Sequence, residues 1–257
     1  MASLPNTVYS LPSRTCTSRR KTNIKCLQLN LQHSRTATFN LTQITLQNNT
    51  DVVFVQEPYT VVNNVAGFPK TFKIFAHGNG RKRSAIIVNN NNIDAITIKQ
   101  VSHRDAILIE ISYEGLTFYT ASLYFPSDRD IQRDLETAEK ITQLAKGEGL
   151  ILSIDSNSRS TLWYNTNTNQ RGKFLEEFII TSNLLIMNEV TDIPTFETTR
   201  GRSWIDLTLC NNMLAQKTSG WTCSEEESCA DRNIIFFDIE DVEVSGNVKL
   251  TQGNTIS

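Results

Sequence analysis

Five apolar runs along this chain each meet a carboxylate or an amide at one end. Ile24-Lys25-Cys26-Leu27-Gln28-Leu29 ends in Asn30, and Val52-Val53-Phe54-Val55 ends in Gln56-Glu57. Leu150-Ile151-Leu152-Ser153-Ile154 ends in Asp155-Ser156-Asn157, Ser203-Trp204-Ile205 runs into Asp206, and Ala230-Asp231-Arg232-Asn233 opens Ile234-Ile235-Phe236-Phe237. Runs of this length and composition predict buried strands. Strands that deliver polar side chains to one rim build a convergent site on a rigid scaffold.

Between these runs the periodicity alternates. Ala37, Leu41 and Ile44 stand at i, i+4 and i+7 and predict an amphipathic helix after the first strand. Short alternating stretches around Phe72–Phe75, Ser84–Val88, Ile93–Ile98, Ala106–Ile111 and Leu116–Leu123 follow the Val52–Val55 strand, separated by turn-rich pieces such as Gly78-Asn79-Gly80. Ser127 or Asp128 is placed to cap a second helix carrying Ile131, Leu135, Ala138 and Ile141. An Asn/Thr-rich loop, 165–170, leads to a third helix with Phe174, Leu175 and Phe178 inward, and strands near Leu184–Met187, Ser203–Leu209 and Asn233–Ile239 close the pattern. Helices interleaved with hairpin-like and crossover-like strands predict a sheet sandwich covered by helices.

Composition adjusts this picture only at the edges. The 257 residues suffice for one large α/β domain, and a net charge of −2 excludes a polycation of the histone kind, so a nucleic acid would be held by local patches. No apolar run reaches the ~20 residues of a membrane helix, so no membrane partner is expected. The five cysteines (Cys16, Cys26, Cys210, Cys223, Cys229) are scattered, without a CxxC pair, and read as free thiols of a reducing compartment. Residues 1–23 carry Arg14, Arg19, Arg20 and Lys21 with no acid; a disordered basic arm fits this better than a transit peptide, because apolar periodicity is lacking. The domain is expected over 24–240, with a polar tail over 241–257.

Leu29-Asn30-Leu31-Gln32, Gln56-Glu57-Pro58-Tyr59, Ser122-Leu123-Tyr124-Phe125-Pro126, Asp155-Ser156-Asn157, Pro194-Thr195-Phe196, Ser203-Trp204-Ile205-Asp206-Leu207-Thr208-Leu209 and Ala230-Asp231-Arg232-Asn233 occur in that order. This succession resembles the endonuclease/exonuclease/phosphatase superfamily, and in particular the apurinic-endonuclease-like domain of non-LTR retrotransposon polyproteins. Leu162-Trp163, Arg171-Gly172-Lys173-Phe174-Leu175 and Leu185-Ile186-Met187-Asn188 are similar to the retroelement branch. The resemblance implies a four-layer α/β sandwich, deoxyribonuclease-like, with two facing mixed sheets flanked by helices. It implies Mg²⁺ as cofactor, with Mn²⁺ as a substitute, and double-stranded DNA as substrate. A reverse transcriptase as neighbouring domain and a nuclear place of action follow from the same likeness.

Carried over residue by residue, the likeness makes Glu57 the metal-binding glutamate, with Asn30 and Asp231 at the metal shell. Asp155 orients or deprotonates the attacking water, Asn157 holds a phosphate oxygen, and Tyr124 donates to the scissile phosphate. Asp206 and Asp231 complete the set. Independently of the likeness, carboxylate and amide oxygens at strand ends suit Mg²⁺, which takes one or two carboxylates plus substrate phosphates, although Asp-Ser-Asn also reads as a turn. One position departs from the family: Ala230-Asp231-Arg232 stands where Ser-Asp-His is usual. Arg232 supplies charge and can pair with Asp206, but it cannot exchange a proton near neutral pH. Loss of an acid–base group costs on the order of 10²–10⁴ in rate, so impaired nicking or a DNA-binding remnant is expected. A small-molecule phosphoesterase of the same fold is disfavoured, since those branches carry a Pro-x-Trp-x-Asp-Arg type of segment at the Ser203–Thr208 position.

Basic loops supply candidate DNA contacts. Arg81, Lys82 and Arg83 form a compact knot, and Arg200 and Arg202 precede the Asp206 strand. Trp163 and Tyr164 either stack on a base or pack beneath their own loop.

Overall fold

The apolar runs form two six-stranded mixed sheets packed face to face. The computed structural model describes residues 23–199 and 201–240; the expected basic arm, apart from Asn23, the expected tail and Arg200 lie outside these. In chain order the elements are β1 (Asn23–Asn30), α1 (Arg35–Gln47), β2 (Val52–Gln56), β3 (Thr60–Val61), β4 (Asn64–Val65), β5 (Lys73–Phe75), β6 (Ser84–Val88), β7 (Asp94–Thr97), β8 (Ala106–Tyr113) and β9 (Leu116–Tyr124). There follow α2 (Gln132–Leu144), β10 (Gly149–Asp155), α3 (Gln170–Thr181), β11 (Leu184–Ile186), β12 (Phe196–Thr198), β13 (Gly201–Ser203), β14 (Asp206–Asn211), α4 (Asn212–Ala215), β15 (Thr218–Ser224) and β16 (Ile234–Glu240).

The first sheet runs β15-β16-β1-β2-β6-β5 and the second β11-β14-β10-β9-β8-β7. Their centres are alike: β1 pairs parallel with β2 and antiparallel with β16, and β10 pairs parallel with β9 and antiparallel with β14. Strand alternation sends one parity of side chains outward and the other into the space between the sheets. Outward residues of the first sheet (Leu27, Leu29, Val53, Val55, Ile87) pack on Ala37, Leu41 and Ile44 of α1. Those of the second (Leu123, Leu150, Leu152, Ile154, Leu207) pack on Leu135, Ala138 and Ile141 of α2 and on Leu175 and Phe178 of α3. Helix, sheet, sheet and helices make the expected four-layer α/β sandwich.

The layer between the sheets changes character along its length, and this change positions the site. At one end it is apolar: Cys26, Phe54, Ile86, Phe118, Ile151 and Phe237 are buried there, with Phe54 and Phe237 stacked at 5.8 Å. Moving in steps of two along the same strands, the inward residues become Gln28 and Asn30, Gln56, Ser122 and Tyr124, Ser153 and Asp155. Gln56 Nε2 donates to Ser122 Oγ (3.1 Å) and Ser153 O (3.3 Å), and Ser122 Oγ donates to Val55 O, so polar side chains join the two sheets just below the rim. The described cysteines are free; burial pushes the thiols of Cys26, Cys210 and Cys223 up.

Several expectations need correction. Neither Ser127 nor Asp128 caps α2, which starts at Gln132 behind Ile131. Ile131 is buried beneath the helix, and Asp130 Oδ1 accepts from Gln132 N (3.1 Å), so burial of Ile131 sets the start. The strand expected over Ser203–Leu209 is split: Ser203 pairs with Phe196 in the β12–β13 ribbon, and Asp206 opens β14 instead of ending a strand. Trp163 is buried, its Nε1 donating to Ser158 O (3.3 Å), which places it under its loop and not against a base.

Candidate active site

The ends of β1 and β2 lie side by side in parallel register, Asn30 opposite Gln56, so Asn30 and Glu57 reach the rim together. Asn30 Oδ1 accepts from Gln32 N (2.8 Å), which turns its Nδ2 toward two carboxylates: Asp155 Oδ2 at 2.6 Å and Glu57 Oε2 at 3.3 Å. This one amide links the two sheets at the rim. Glu57 has a left-handed backbone (φ 45°), a conformation that side chains adopt at a cost of about 1–3 kcal/mol and that tends to mark functional positions. Burial pushes its carboxyl up, but bonds from His33, Tyr124 and Asn30 outweigh burial and hold it below its ordinary value. Glu57 is therefore an ionised carboxylate with 21% of its side chain still exposed.

Asp155 ends β10 and Asp206 begins β14, and the two are register partners. Asp206 is fixed by Thr195, whose Oγ1 accepts from the backbone N–H of both Ile205 (3.0 Å) and Asp206 (3.1 Å). Asn188 brackets the same strand, donating to Asp206 O and accepting from Thr208 N. Arg232 is inserted against this pair, 7% exposed. Its Nη2 lies 3.2 Å from Asp155 Oδ2, its Nε 3.4 Å from Asp206 Oδ2 and its Nη1 2.9 Å from Asp231 Oδ1. The guanidinium also lies over the Phe196 ring, 4.4 Å from its centroid. Burial opposes its charge, yet the three carboxylates outweigh burial and raise its pKa.

The Asp206 contact is an ionic approach without hydrogen-bond alignment. Neither Asp206 oxygen nor Arg232 Nε makes an aligned hydrogen bond among the described residues, although the Thr195 hydroxyl lies close enough to favour the Asp206 carboxylate. Burial first, and then the neighbouring Asp155 charge, push the Asp206 carboxyl up to about 8, against the pull of Arg232. The Asp231 carboxyl is also raised, by burial and Asp155, with Arg232 opposing.

Asn157 follows Asp155 in a left-handed turn (φ 47°), its N–H donating to Asp155 Oδ1 (3.3 Å) and its Nδ2 to Phe125 O (3.1 Å). Arg171 of α3 fixes this turn from behind by donating to Asn157 O (3.2 Å), Ser156 O (3.3 Å), Phe125 O (3.4 Å) and Arg129 O (2.7 Å). Tyr124 ends β9 with its hydroxyl bonded to Glu57; burial and the charges of Glu57 and Asp155 raise its pKa, so it stays a proton donor.

The basic knot divides. Arg81 is exposed and Lys82 half-buried, its Nζ donating to Gly80 O. Arg83 turns inward, pairs through two nitrogens with the buried Asp105 (2.6 and 2.7 Å) and lies over the Tyr124 ring at 5.2 Å. Arg202 is exposed and paired with Glu197 (2.6 Å). Gln32, Glu57, Asn157, Asp231 and Arg232 line one cavity of about 410 Å³, whose wall also includes Arg159 and Phe196.

Among the described residues no three acidic, histidine or cysteine side chains form a ready-made metal cage. The donor chemistry nevertheless fits Mg²⁺: one ionised carboxylate opens on a polar cavity, and Mg²⁺ is commonly held by one or two carboxylates with water and substrate phosphates completing its shell. Asn30 presents its N–H side to the carboxylates, and Asp231 is engaged by Arg232, so Glu57 is the carboxylate left open to a cation. The sequence patterns did not single out Thr195 under Asp206, Arg171 behind Asn157 or Asp105 beneath Arg83, although Thr195 and Arg171 belong to motifs to which no role was attached. His33 carries a positional signal, since it follows Asn30 by three residues and so can approach the rim, but no pattern pairs it with Glu57.

A profile of the endonuclease-reverse transcriptase family matches residues 118–236. The chain is 25% identical over 182 residues to the retrovirus-related Pol polyprotein from type-1 retrotransposable element R1 of Bradysia coprophila, covering 66% of this chain and 18% of that protein. It is 22% identical over 218 residues to a putative 115 kDa protein in type-1 retrotransposable element R1DM of Drosophila melanogaster, covering 81% and 21%. The chain thus spans about a fifth of the length of these curated relatives. Among solved structures it resembles the endonuclease domain of TRAS1, a telomere-specific non-LTR retrotransposon, with a TM-score of 0.78 and 27% identity over 85% of this chain and 98% of that one. The AP endonuclease LMAP from Leishmania major shares the fold, with a TM-score of 0.68 and 10% identity over 86% of this chain and 88% of that one. The family profile, the retrotransposon polyproteins and the TRAS1 endonuclease structure together support an endonuclease domain of the endonuclease/exonuclease/phosphatase superfamily.

Proposed function

We propose that this domain, residues 24–240, nicks double-stranded DNA by Mg²⁺-dependent phosphodiester hydrolysis, and that Arg232 impairs it. The observation that carries this reading is the convergence of Asn30, Glu57, Tyr124 and Asp155 from four strand ends, with the Asn30 amide bridging Glu57 and Asp155. Glu57 would hold the divalent cation, which would supply charge neutralisation at the phosphate and the leaving oxygen. Asp155 orients the attacking water. Asn157 uses the Nδ2 hydrogen not given to Phe125 O to hold a phosphate oxygen, and Tyr124 turns its hydroxyl from Glu57 to the phosphate. The products are a 3′-hydroxyl and a 5′-phosphate.

Arg232 fills the place where the family carries histidine. It gives Asp155 and Asp206 a permanent counter-charge but no transferable proton. Arg81, Lys82 and Arg202 contact the DNA backbone, and Arg83, paired with Asp105, supports Tyr124. A reverse transcriptase domain in the same polyprotein and a nuclear place of action complete the reading. Relaxation of supercoiled plasmid tests it. Mg²⁺-dependent, EDTA-sensitive open circles whose 3′ ends a polymerase extends support the reading; no nicking even in an Arg232→His variant leaves the alternative, a DNA-binding remnant.

A further inference from the structure

Beyond Asn30 the chain makes a bend whose backbone has no strand to follow. Gln32 and His33 are both left-handed (φ 48° and 57°), and so is Glu57 across from them. Side chains seldom adopt this region, and successive residues do so rarely. The two strand ends are laced together here: Leu31 N–H donates to Gln56 O (2.9 Å), and His33 N–H donates to Glu57 O (2.7 Å). The imidazole of His33 is fixed as well. Its Nδ1 lies 2.9 Å from Pro58 O, and because a carbonyl only accepts, Nδ1 carries the hydrogen. That leaves Nε2, 3.5 Å from Glu57 Oε1, which bonds the carboxylate directly when no cation lies between them, a bond that an entering cation replaces; both side chains are about one-fifth exposed.

Metal-binding histidines commonly hold one ring N–H on a backbone carbonyl, as His33 Nδ1 does on Pro58 O, and leave the other nitrogen to the ion. Two donor atoms 3.5 Å apart can share one ion about 2.1 Å from each, at an angle near 110°. An imidazole nitrogen binds first-row transition ions more readily than Mg²⁺, with Mn²⁺ the weakest of that series.

We propose that His33 Nε2 is a ligand of the cation held at Glu57, and that this nitrogen–oxygen pair tilts the site toward a transition ion such as Mn²⁺ over Mg²⁺. The proposal rests on Glu57 being the cation site, which the function proposed above also requires. Two protein donors make the site weak, with the remaining positions left to water and to substrate phosphate.

Mn²⁺ binding to the whole chain tests this, by titration calorimetry and by pulsed electron paramagnetic resonance, in which a directly bonded ¹⁴N modulates the Mn²⁺ echo. The unaltered chain is expected to show ¹⁴N coupling and to bind Mn²⁺ at least ~10-fold more tightly than Mg²⁺. His33→Ala is expected to lose the coupling and about 10-fold in Mn²⁺ affinity, with Mg²⁺ affinity held within about 3-fold. His33→Asn keeps a donor for Pro58 O and guards against a mere folding defect; it is expected to bind Mn²⁺ as His33→Ala does. Absence of ¹⁴N coupling in the unaltered chain, or equal losses for both ions, overturns the role of His33. Glu57→Gln separates the two readings: if it abolishes binding while both His33 variants bind normally, only the His33 assignment fails, and if Mn²⁺ binding survives it, the Glu57 cation site itself fails.

Discussion

Asp155 and Asp206 stand directly opposite each other where β10 and β14 pair, and the guanidinium of Arg232 contacts both, at 3.2 and 3.4 Å. Two buried carboxylates this close repel each other unless one is protonated or a cation lies against them. In this chain the cation is covalently part of the fold, held over Phe196 and anchored a third time by Asp231.

Removing that guanidinium leaves three crowded carboxylates. Arg232→Ala is expected to lower stability by about 3–5 kcal/mol near neutral pH, as for other buried pairs deprived of one partner. The sign with pH follows from Asp206, whose folded pKa is raised. A raised carboxyl contributes fully below its unfolded value, about 3.9, and its contribution is lost as pH rises through the folded value. Without Arg232 the carboxyls rise further, so the deficit widens from pH 5 to pH 8. Thermal unfolding at several pH values checks this; a deficit independent of pH contradicts it.

Glu57→Ala is expected to remove a weak Mg²⁺ or Mn²⁺ site seen by calorimetry while preserving the fold. Unchanged metal binding in that variant would sink the assignment of Glu57.

The basic knot is expected to separate by residue. Arg81→Ala with Lys82→Ala lowers duplex affinity uniformly across sequences and flattens its salt dependence by about one unit of slope for each phosphate left unneutralised. Arg83→Ala acts on stability, because the buried Asp105 loses its bidentate partner. Burial pushes the Asp105 carboxyl up, but Arg83 outweighs burial and lowers it. Its stabilisation is therefore present above its unfolded value, about 3.9, and lost as pH falls through the folded one. The Arg83→Ala deficit in unfolding temperature should thus shrink below about pH 4. A salt slope unmoved by the Arg81 and Lys82 changes places the DNA path elsewhere.

The central strands were legible because their apolar runs are long and end in polar groups of one kind. Val52–Gln56 and Gly149–Asp155 are buried throughout, as their unbroken apolar runs imply, and Ser84–Val88, read as an alternating stretch, is buried on both faces as well. β15 escaped notice because Gly220 (φ 64°) and a register shift between Ser219 and Thr222 interrupt its alternation. The β3–β4 hairpin escaped because its turn places Val62 and Asn63 in left-handed backbone, where the usual signal is Asn-Gly. At the site, side chains at strand ends could be placed from their motifs. Pairings made across the fold, such as Arg232 on Phe196 or His33 on Glu57, depend on loops whose course no periodicity encodes.

The most direct test of the account is the rate of supercoiled-plasmid nicking in Mg²⁺ by the unaltered chain, by Arg232→His, and by Arg232→His with Asp155→Ala. Feeble or no nicking is expected from the unaltered chain and a gain of at least ~10²-fold from Arg232→His, because an imidazole beside Asp206 can move a proton. That gain is expected to vanish when Asp155 is also removed, with duplex affinity within a few-fold throughout. Robust nicking by the unaltered chain, with no gain from Arg232→His, would contradict it and show that the arginine suffices.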